Sequence, residues 1–208
     1  MERILQYLKK RGGFARMSDL RESSFQTRDI ARMVREGSII KVKSGLYKLP
    51  DITQTVAINP SFIEISLAVP KGIITLASAL AHHELTTFVP SEIYVAIPQS
   101  AKPPQIDFPP VRFFFFPERF YHLGIEKIKT DAGFISIYNK EKTICDMFRY
   151  RNKIGENLAL EGLKIYLRRK DSNVNKLYQF AEDCNVKTIL LPYLKAHLSL
   201  GFCRGNIL

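Results

Sequence analysis

Positively charged side chains recur at helical spacing between residues 26 and 35. Arg28, Arg32 and Arg35 lie three and four positions apart, so on a helix they share one face. Arginines on such a face can form hydrogen bonds to guanine edges and to phosphate oxygens. The residues at the start of a recognition helix are the ones that reach base edges. The predicted contacts of this helix with double-stranded DNA are Gln26, Thr27, Arg28, Arg32 and Arg35.

A basic hairpin follows directly, in the stretch "EGSIIKVKSGLYKL" from Glu36 to Leu49. Two short apolar runs turn at Ser44-Gly45, and glycine there allows a tight turn and a close approach of the backbone to a phosphate. The alternation of Ile40 and Val42 with the lysines predicts one packed face and one face toward DNA. The predicted contacts of the hairpin with DNA are Lys41, Lys43, Ser44 and Lys48.

The elements that must position these residues form a known order. "MERILQYLKKR" predicts a helix that Gly12-Gly13 ends, "MSDLRES" predicts a short helix, and Ile30, Met33 and Val34 give "SFQTRDIARMVREG" an apolar stripe. Three helices followed by a two-stranded hairpin indicate a winged helix-turn-helix over residues 1–52. A solvated charged face, or a winged helix that binds only protein, is the alternative to DNA binding.

The charge distribution supports a basic first domain on a more ordinary body. Residues 1–50 contain 12 Lys/Arg against 5 Asp/Glu, whereas the remaining residues contain 19 against 15. The net charge of the chain is +11, which favours an anionic partner such as nucleic acid.

The body, residues 60–208, is predicted to be the larger mixed domain of an α+β protein, with helices at its C-terminal end. Strands are predicted at "SEIYVAIPQS", "VRFFFFP" and the hairpin "LGIEKIKTDAGFISIYN", and four helices follow. The polar stretch 51–61 is predicted to be the linker. Phe113 to Phe116 cannot alternate with polar residues, so we expect that strand to be covered on both faces. A platform on which single-stranded nucleic acid stacks is the alternative.

A second group of polar residues lies in the predicted helices of the body. Lys142 and Asp146 are four positions apart, which predicts a weak surface ion pair worth about 0.3–0.5 kcal/mol. The basic members either complement helix dipoles or form a second patch that contacts phosphates. The full candidate set, as an antitoxin region or a second basic patch, is Lys142, Thr143, Asp146, Arg149, Arg151, Asn152, Lys153, Arg168 and Arg169.

Motifs for catalysis are missing from the sequence. It contains no Walker A loop, GxGxxG, GxSxG or HExxH, and His82 and His83 point too far apart on a helix to chelate one metal. Glu64, Asp107 and Glu141 are the acids from which a metal nuclease would have to be built. We therefore expect no catalytic residue, metal or cofactor, and no enzyme activity.

The cysteine content and the hydropathy indicate the compartment. Three cysteines, Cys145, Cys184 and Cys203, lack CxxC spacing, which is typical of a reducing cytoplasm rather than a disulfide framework. No secretory leader opens the sequence and no apolar run approaches bilayer length. We expect a cytoplasmic protein with no membrane contact.

Three blocks in order carry a resemblance to a known family. They are the hairpin end "GLYKLP", the stretch "AVPKGIITLASALAHHELTT", and "IYNKEKTICDMFRYRNKIGENLALEGLKIYLRR". Together they resemble the AbiEi-type antitoxins of type IV abortive-infection (phage-defence) toxin–antitoxin systems. The resemblance runs from the first helix to about Arg169.

The resemblance implies a function for each domain. The N-terminal domain would bind inverted repeats in the promoter of its own operon and repress it, as a dimer on DNA or as monomers that bind cooperatively. The C-terminal domain would be the antitoxin, opposing a nucleotidyltransferase toxin without a stable complex. The second hypothesis is a winged-helix regulator with a ligand-sensing or dimerising body, and the third is a winged-helix-targeted nuclease.

Overall fold

The computed structural model describes residues 2–51, 58–106 and 108–202. Most of the predicted linker, Asp107 and Cys203 therefore lie outside the described residues. The first part of the chain contains three helices and three strands. They are α1 (Glu2–Lys10), β1 (Phe14–Arg16), α2 (Met17–Glu22), α3 (Thr27–Arg35), β2 (Ile40–Lys43) and β3 (Leu46–Lys48).

The N-terminal elements have a core of their own. Ile4 and Leu8 of α1, Leu20 of α2, and Ile30 and Met33 of α3 are buried together. The strands form an antiparallel sheet in the order β1-β3-β2. The predicted helices and hairpin are confirmed, and together they form a winged helix. The strand β1 was not predicted.

The second part of the chain contains five more strands and eight more helices among the described residues. They are α4 (Pro60–Ala68), β4 (Ile73–Ile74), α5 (Leu76–His82), β5 (Ile93–Pro98), β6 (Val111–Phe116), α6 (Glu118–Tyr121), β7 (Ile125–Thr130), β8 (Gly133–Tyr138), α7 (Lys140–Arg149), α8 (Arg151–Ile154), α9 (Glu156–Arg168), α10 (Val174–Asp183) and α11 (Lys187–Phe202). The predicted fold class, a mixed body with C-terminal helices, is confirmed.

The strands of the body form one mixed sheet in the order β6-β5-β4-β8-β7. Pairs β6/β5 and β4/β8 are parallel, and β5/β4 and β8/β7 are antiparallel. One face of the sheet packs against the helices α5, α7, α9 and α10 around Leu80, Phe148 and Leu163. The other face packs against α4 and the winged helix.

The expectation that the four phenylalanines are covered on both faces is wrong. Phe114 and Phe116 are buried, but Phe115 is 46% exposed and Phe113 is partly buried. Side chains alternate along a strand, so Phe114 and Phe116 lie on the face that packs against the helices, whereas Phe113 and Phe115 lie on the other face, which leaves Phe115 partly uncovered. The run "FFFF" therefore alternates between two environments although its residue type does not change.

Two further observations concern the cysteines and the apolar character of the helices. Cys145 and Cys184 are buried free thiols. None of the described helices is long and apolar enough to cross a membrane.

Candidate nucleic-acid interface

Helix α3 presents a polar face to solvent above a buried apolar stripe. Gln26 precedes the helix in an extended conformation, and Gly37 ends it with a φ of 71° that favours glycine. Ile30 and Met33 anchor the opposite face in the core. The exposed residues at the start of the helix and along its outer face are Gln26, Thr27, Arg28, Arg32 and Arg35.

The electrostatics of this face leave its arginines accessible. Arg32 forms an ion pair with Asp29 at 3.3 Å, and both side chains are at least a third exposed. Because exposed pairs of this kind contribute little, a phosphate or a guanine edge can replace Asp29 at low cost. The three arginines thus lie exposed on one side of the helix, with Gln26 and Thr27 at its start, and the contact of these five residues with DNA stays a prediction.

The tip of the wing also lies in solvent. Lys41 and Ser44 are exposed, and Gly45 adopts a φ of 78° in the turn. The Met17 amide donates a hydrogen bond of 2.8 Å to the Gly45 carbonyl, so the tip is attached to the first residue of α2. Lys41 and Ser44 are therefore accessible to a ligand, and their contact with DNA stays a prediction.

The structure corrects the prediction for Lys43. Its ammonium donates a hydrogen bond of 2.6 Å to the carbonyl of Ala68, at the C-terminal end of α4. Burial lowers the pKa of Lys43, and the neighbouring Arg16 lowers it further. Arg16 itself donates to the carbonyl of Leu67 at 3.4 Å. Two cations of the winged helix thus cap one helix end of the body, where cations stabilise the helix dipole.

A β-bulge explains why Lys41 and Lys43 differ. Lys41 pairs with Tyr47 and Lys43 pairs with Leu46, so one extra residue, Val42, is inserted between them. A bulge breaks the alternation of side chains along a strand. As a result Ile40 is exposed whereas Val42 is buried against the body.

Lys48 is likewise engaged by the body. Its ammonium pairs with the Glu64 carboxylate at 2.5 Å, and the two side chains are only 14% and 5% exposed. The second oxygen of Glu64 is buried without a hydrogen-bond partner among the described residues. The prediction that Lys48 contacts DNA is therefore corrected, because its charge is already paired inside the protein.

Lys41 and Lys43 provide a matched pair for a DNA-binding experiment. We expect Lys41→Ala to weaken specific and random duplexes alike, and to lower the slope of log affinity against log salt by about one. We expect Lys43→Ala to leave that slope unchanged, because its ammonium is bound to Ala68. Fluorescence anisotropy over a salt series measures both. An equal change in slope for the two variants would contradict the assignment.

The predicted patch of the body is divided between the interior and the surface. Lys142, Thr143 and Asp146 are fully buried, and the Lys142 ammonium pairs with the Asp146 carboxylate at 2.5 Å. The prediction of a surface pair is thus wrong. The ammonium also lies 4.3 Å from the ring centre of Tyr138 and 4.9 Å from that of Phe116. Burial raises the pKa of Asp146, and the Lys142 charge opposes that rise.

Thr143 and Arg149 are also held inside the body. The Thr143 hydroxyl donates to the Tyr138 carbonyl at 3.3 Å. The Arg149 guanidinium lies 3.8 Å from the ring centre of Phe120. Its Nε and one terminal nitrogen are buried without partners among the described residues.

The remaining members of the patch lie at or near the surface. Arg151 donates to the Phe148 carbonyl at 2.9 Å. Arg169 pairs with Asp171 at 2.8 Å and donates to the His83 carbonyl at 3.1 Å. Asn152, Lys153 and Arg168 are exposed. The nine residues therefore do not form one basic surface, and only these last three are fully open to a ligand.

His83 is the second histidine of the predicted helix end. Its Nε2 lies 2.7 Å from the Tyr138 carbonyl, and burial lowers its pKa to about 4, against a smaller upward effect of that hydrogen bond. The nearby His82 and Lys140 lower it further, and Glu141 raises it. His83 is therefore a neutral structural group at neutral pH.

This burial gives a pH-dependent contribution to stability. The folded state favours the neutral form of His83. The stability that this gives the fold is complete above the pKa of His83 in the unfolded chain, and it is lost as pH falls from there toward the folded-state pKa of about 4. We expect the loss to be on the order of 3 kcal/mol, from a pKa that falls from 6.5 to about 4. Urea denaturation at a series of pH values should show a smaller decline for His83→Gln than for the wild type. His122→Gln, at a mostly exposed histidine, should follow the wild type; a decline in His83→Gln as steep as the wild type's would contradict the assignment.

The acids considered for a nuclease are engaged in different places. Glu64 pairs with Lys48 of the wing. Glu141 accepts a hydrogen bond from Tyr166 at 2.8 Å and pairs with Lys176 at 2.9 Å. Asp107 lies outside the described residues. Within the described part of the chain no group of three or more His, Cys, Asp or Glu side chains could hold a metal ion.

Comparison with known families gives a match that falls on the winged helix. Residues 2–50 match the family model described as transcriptional regulator, AbiEi antitoxin. This confirms the resemblance for the N-terminal domain, and the resemblance of the body stays a prediction. No curated protein matches the chain.

Proposed function

We propose that this protein represses its own operon through the winged helix and acts as an antitoxin through the body. The counterpart would be a nucleotidyltransferase toxin of a type IV phage-defence system, opposed without a stable complex and without enzyme activity. The winged helix binds inverted repeats in the promoter, with the start of α3 in the major groove. Lys41 and Ser44 contact the phosphates beside it.

The exposed cationic face of α3 is the observation that carries this proposal. Its arginines lie on one side of a helix whose other side is anchored in the core, as a recognition helix requires. The match of residues 2–50 to AbiEi antitoxin regulators supports the same use of the domain. The proposal assigns DNA to this face rather than to the wing as a whole, because Lys43 and Lys48 bind the body.

Footprinting of the upstream promoter tests the proposal. We expect the full chain to protect inverted repeats there, and to bind a scrambled duplex of equal length about a thousandfold more weakly or worse. Equal affinity for the promoter and the scrambled duplex would contradict sequence-specific repression. Co-expression with the adjacent gene tests the second activity, since growth should be restored only if that gene encodes the opposed toxin.

A second candidate function is favoured by a cavity between the domains. This cavity of about 410 Å³ is lined by Lys10, Arg11 and Arg16 of the winged helix, by Asp19, which pairs with Arg11 at 3.2 Å, and by Asp131 to Gly133 of the β7–β8 turn. A small anionic ligand bound there would contact both domains and could alter their relative position. Under this alternative the body senses a ligand and the winged helix reports it. A promoter affinity that depends on an added small anion would favour it.

A further inference from the structure

The outer edge of the body sheet carries an aromatic groove. A cavity of about 290 Å³ runs beside β6 and is lined by Arg112, Phe113, Phe114, Phe115, Tyr150 and Lys153. Four of these side chains are aromatic and two are cationic, and this lining contains no carboxylate. The groove lies in the second domain, away from the helix α3 to which we assign duplex DNA.

The backbone of β6 offers hydrogen-bonding groups to this groove. The Pro110 carbonyl accepts from the Ile93 amide at 2.8 Å, and the Phe116 carbonyl accepts from the Gln99 amide at 3.0 Å. The backbone N–H and C=O groups of the even-numbered residues therefore point toward β5, and the backbone amides of Phe113 and Phe115 point toward the outer edge. The Tyr150 hydroxyl donates to the Phe115 carbonyl at 3.5 Å, which lies on that outer side. No other strand pairs with β6 among the described residues.

The Tyr150 ring is held firmly by its neighbours while part of it stays exposed. Tyr150 stacks on Phe116 with ring centres 5.4 Å apart and an interplanar angle of 16°. It also meets Phe114 edge to face at 5.4 Å. Phe115 is 46% exposed and Tyr150 is half-buried. A fixed aromatic surface that remains open costs little conformational entropy when a planar ligand stacks on it.

The cations of the groove are available to an anion. Arg112 pairs with Glu92 at 2.8 Å, but the Arg112 side chain is 52% exposed. Exposed pairs contribute little to stability, so a phosphate can compete with Glu92 for the guanidinium. Lys153 is exposed, with its ammonium 6.0 Å from the Tyr150 ring centre. Planar faces beside exposed cations match a nucleobase and its phosphate. The volume of about 290 Å³ lies just below that of cavities for drug-sized ligands, so the groove encloses only a small part of the strand.

We propose that the β6 groove binds single-stranded nucleic acid, with one base stacked on Tyr150, a neighbouring base against Phe115 on the other side of the strand edge, and the strand's phosphates beside Arg112 and Lys153. Single strands fit because their bases can leave the stack and meet aromatic side chains, whereas those of a duplex are enclosed. A second copy of this chain, pairing edge to edge, would bring its own Arg112 and Lys153 against the same cations. Charge therefore favours the nucleic acid over that alternative. The proposal goes beyond the proposed function and does not depend on it.

Anisotropy with the full chain and short labelled RNA and DNA single strands of about eight nucleotides tests this proposal. We expect Phe115→Ala to weaken binding by about five- to hundredfold. Lys153→Ala should weaken it less and reduce its salt dependence. Phe88→Ala is the matched control, because Phe88 is 47% exposed in another part of the body. The affinities for the RNA and the DNA strand are then compared, and the strand that binds more tightly identifies the natural ligand.

Additional measurements separate this proposal from the others. All three variants should keep the wild-type melting temperature and the wild-type affinity for promoter duplex, since none alters α3. Crosslinking of a 4-thiouridine strand should label Phe115 or Tyr150. Single-strand affinity that is unchanged in both Phe115→Ala and Lys153→Ala would overturn the proposal. A wild-type dimer that Phe115→Ala converts to a monomer, with single-strand affinity unchanged, would overturn it in favour of edge-to-edge pairing.

Discussion

Replacement of Lys142 by alanine is expected to lower the free energy of unfolding by about 3–5 kcal/mol. The Lys142 ammonium is fully buried, and its ion pair with Asp146 spans 2.5 Å. Removal of one partner leaves the other charge in the interior, where one Asp146 oxygen already has no partner among the described residues. Asp146→Ala should therefore be similarly destabilising. Urea denaturation with two-state analysis measures both variants.

Lys187 provides the matched control for this prediction. Its ammonium lies at the same distance, 2.5 Å, from the Glu182 carboxylate, but the two side chains are 36% and 41% exposed. Lys187→Ala should cost less than about 1 kcal/mol, as is typical of surface pairs. The double variant Lys142→Met/Asp146→Leu should recover most of the lost stability, because apolar residues can replace a buried pair. Equal costs for Lys142→Ala and Lys187→Ala would contradict the buried role.

This prediction changes the interpretation of the family-like block that begins at Ile137. Its Lys-Thr and the Asp that follows are interior residues whose contacts hold α7 against β8 and β6. A loss of antitoxin activity in a Lys142 variant would therefore be accompanied by a loss of folded protein. The exposed members of the block, Asn152 and Lys153, are the better candidates for contact with a target.

Local patterns predicted the winged helix well. The apolar stripe of α3, the glycines that follow α1 and α3, and the Ser44-Gly45 turn are each determined by neighbouring residues. The strand β1 was missed because it has only three residues and follows two glycines. Its pairing with β3 is a contact between distant parts of the chain that no local pattern indicates.

The errors at the candidate site have a common physical cause. The sequence pattern predicts Lys43, Lys48 and Lys142 at the surface because lysine is normally solvated. Each is instead held inside the protein: Lys43 by the carboxyl end of α4, Lys48 by Glu64, and Lys142 by Asp146 and the rings of Tyr138 and Phe116. The bulge at Val42 places Lys41 and Lys43 on different faces of the hairpin, and simple alternation along the strand does not predict this. Tertiary packing, rather than propensity, decided these positions.

Repression and growth rescue should separate when the face of α3 is altered. We expect Arg28→Ala/Arg32→Ala to lose specific promoter binding, at about 1–3 kcal/mol for each base contact removed. Both side chains are exposed, so the body should fold normally and still oppose the toxin when the variant is supplied from an unrelated promoter. Lys164→Ala, an exposed cation on α9, should retain both activities. Promoter-reporter output and growth with the adjacent gene induced are the two measurements. A folded, abundant double variant that fails to restore growth would show that neutralisation depends on α3, and the proposed division between the two domains would be wrong.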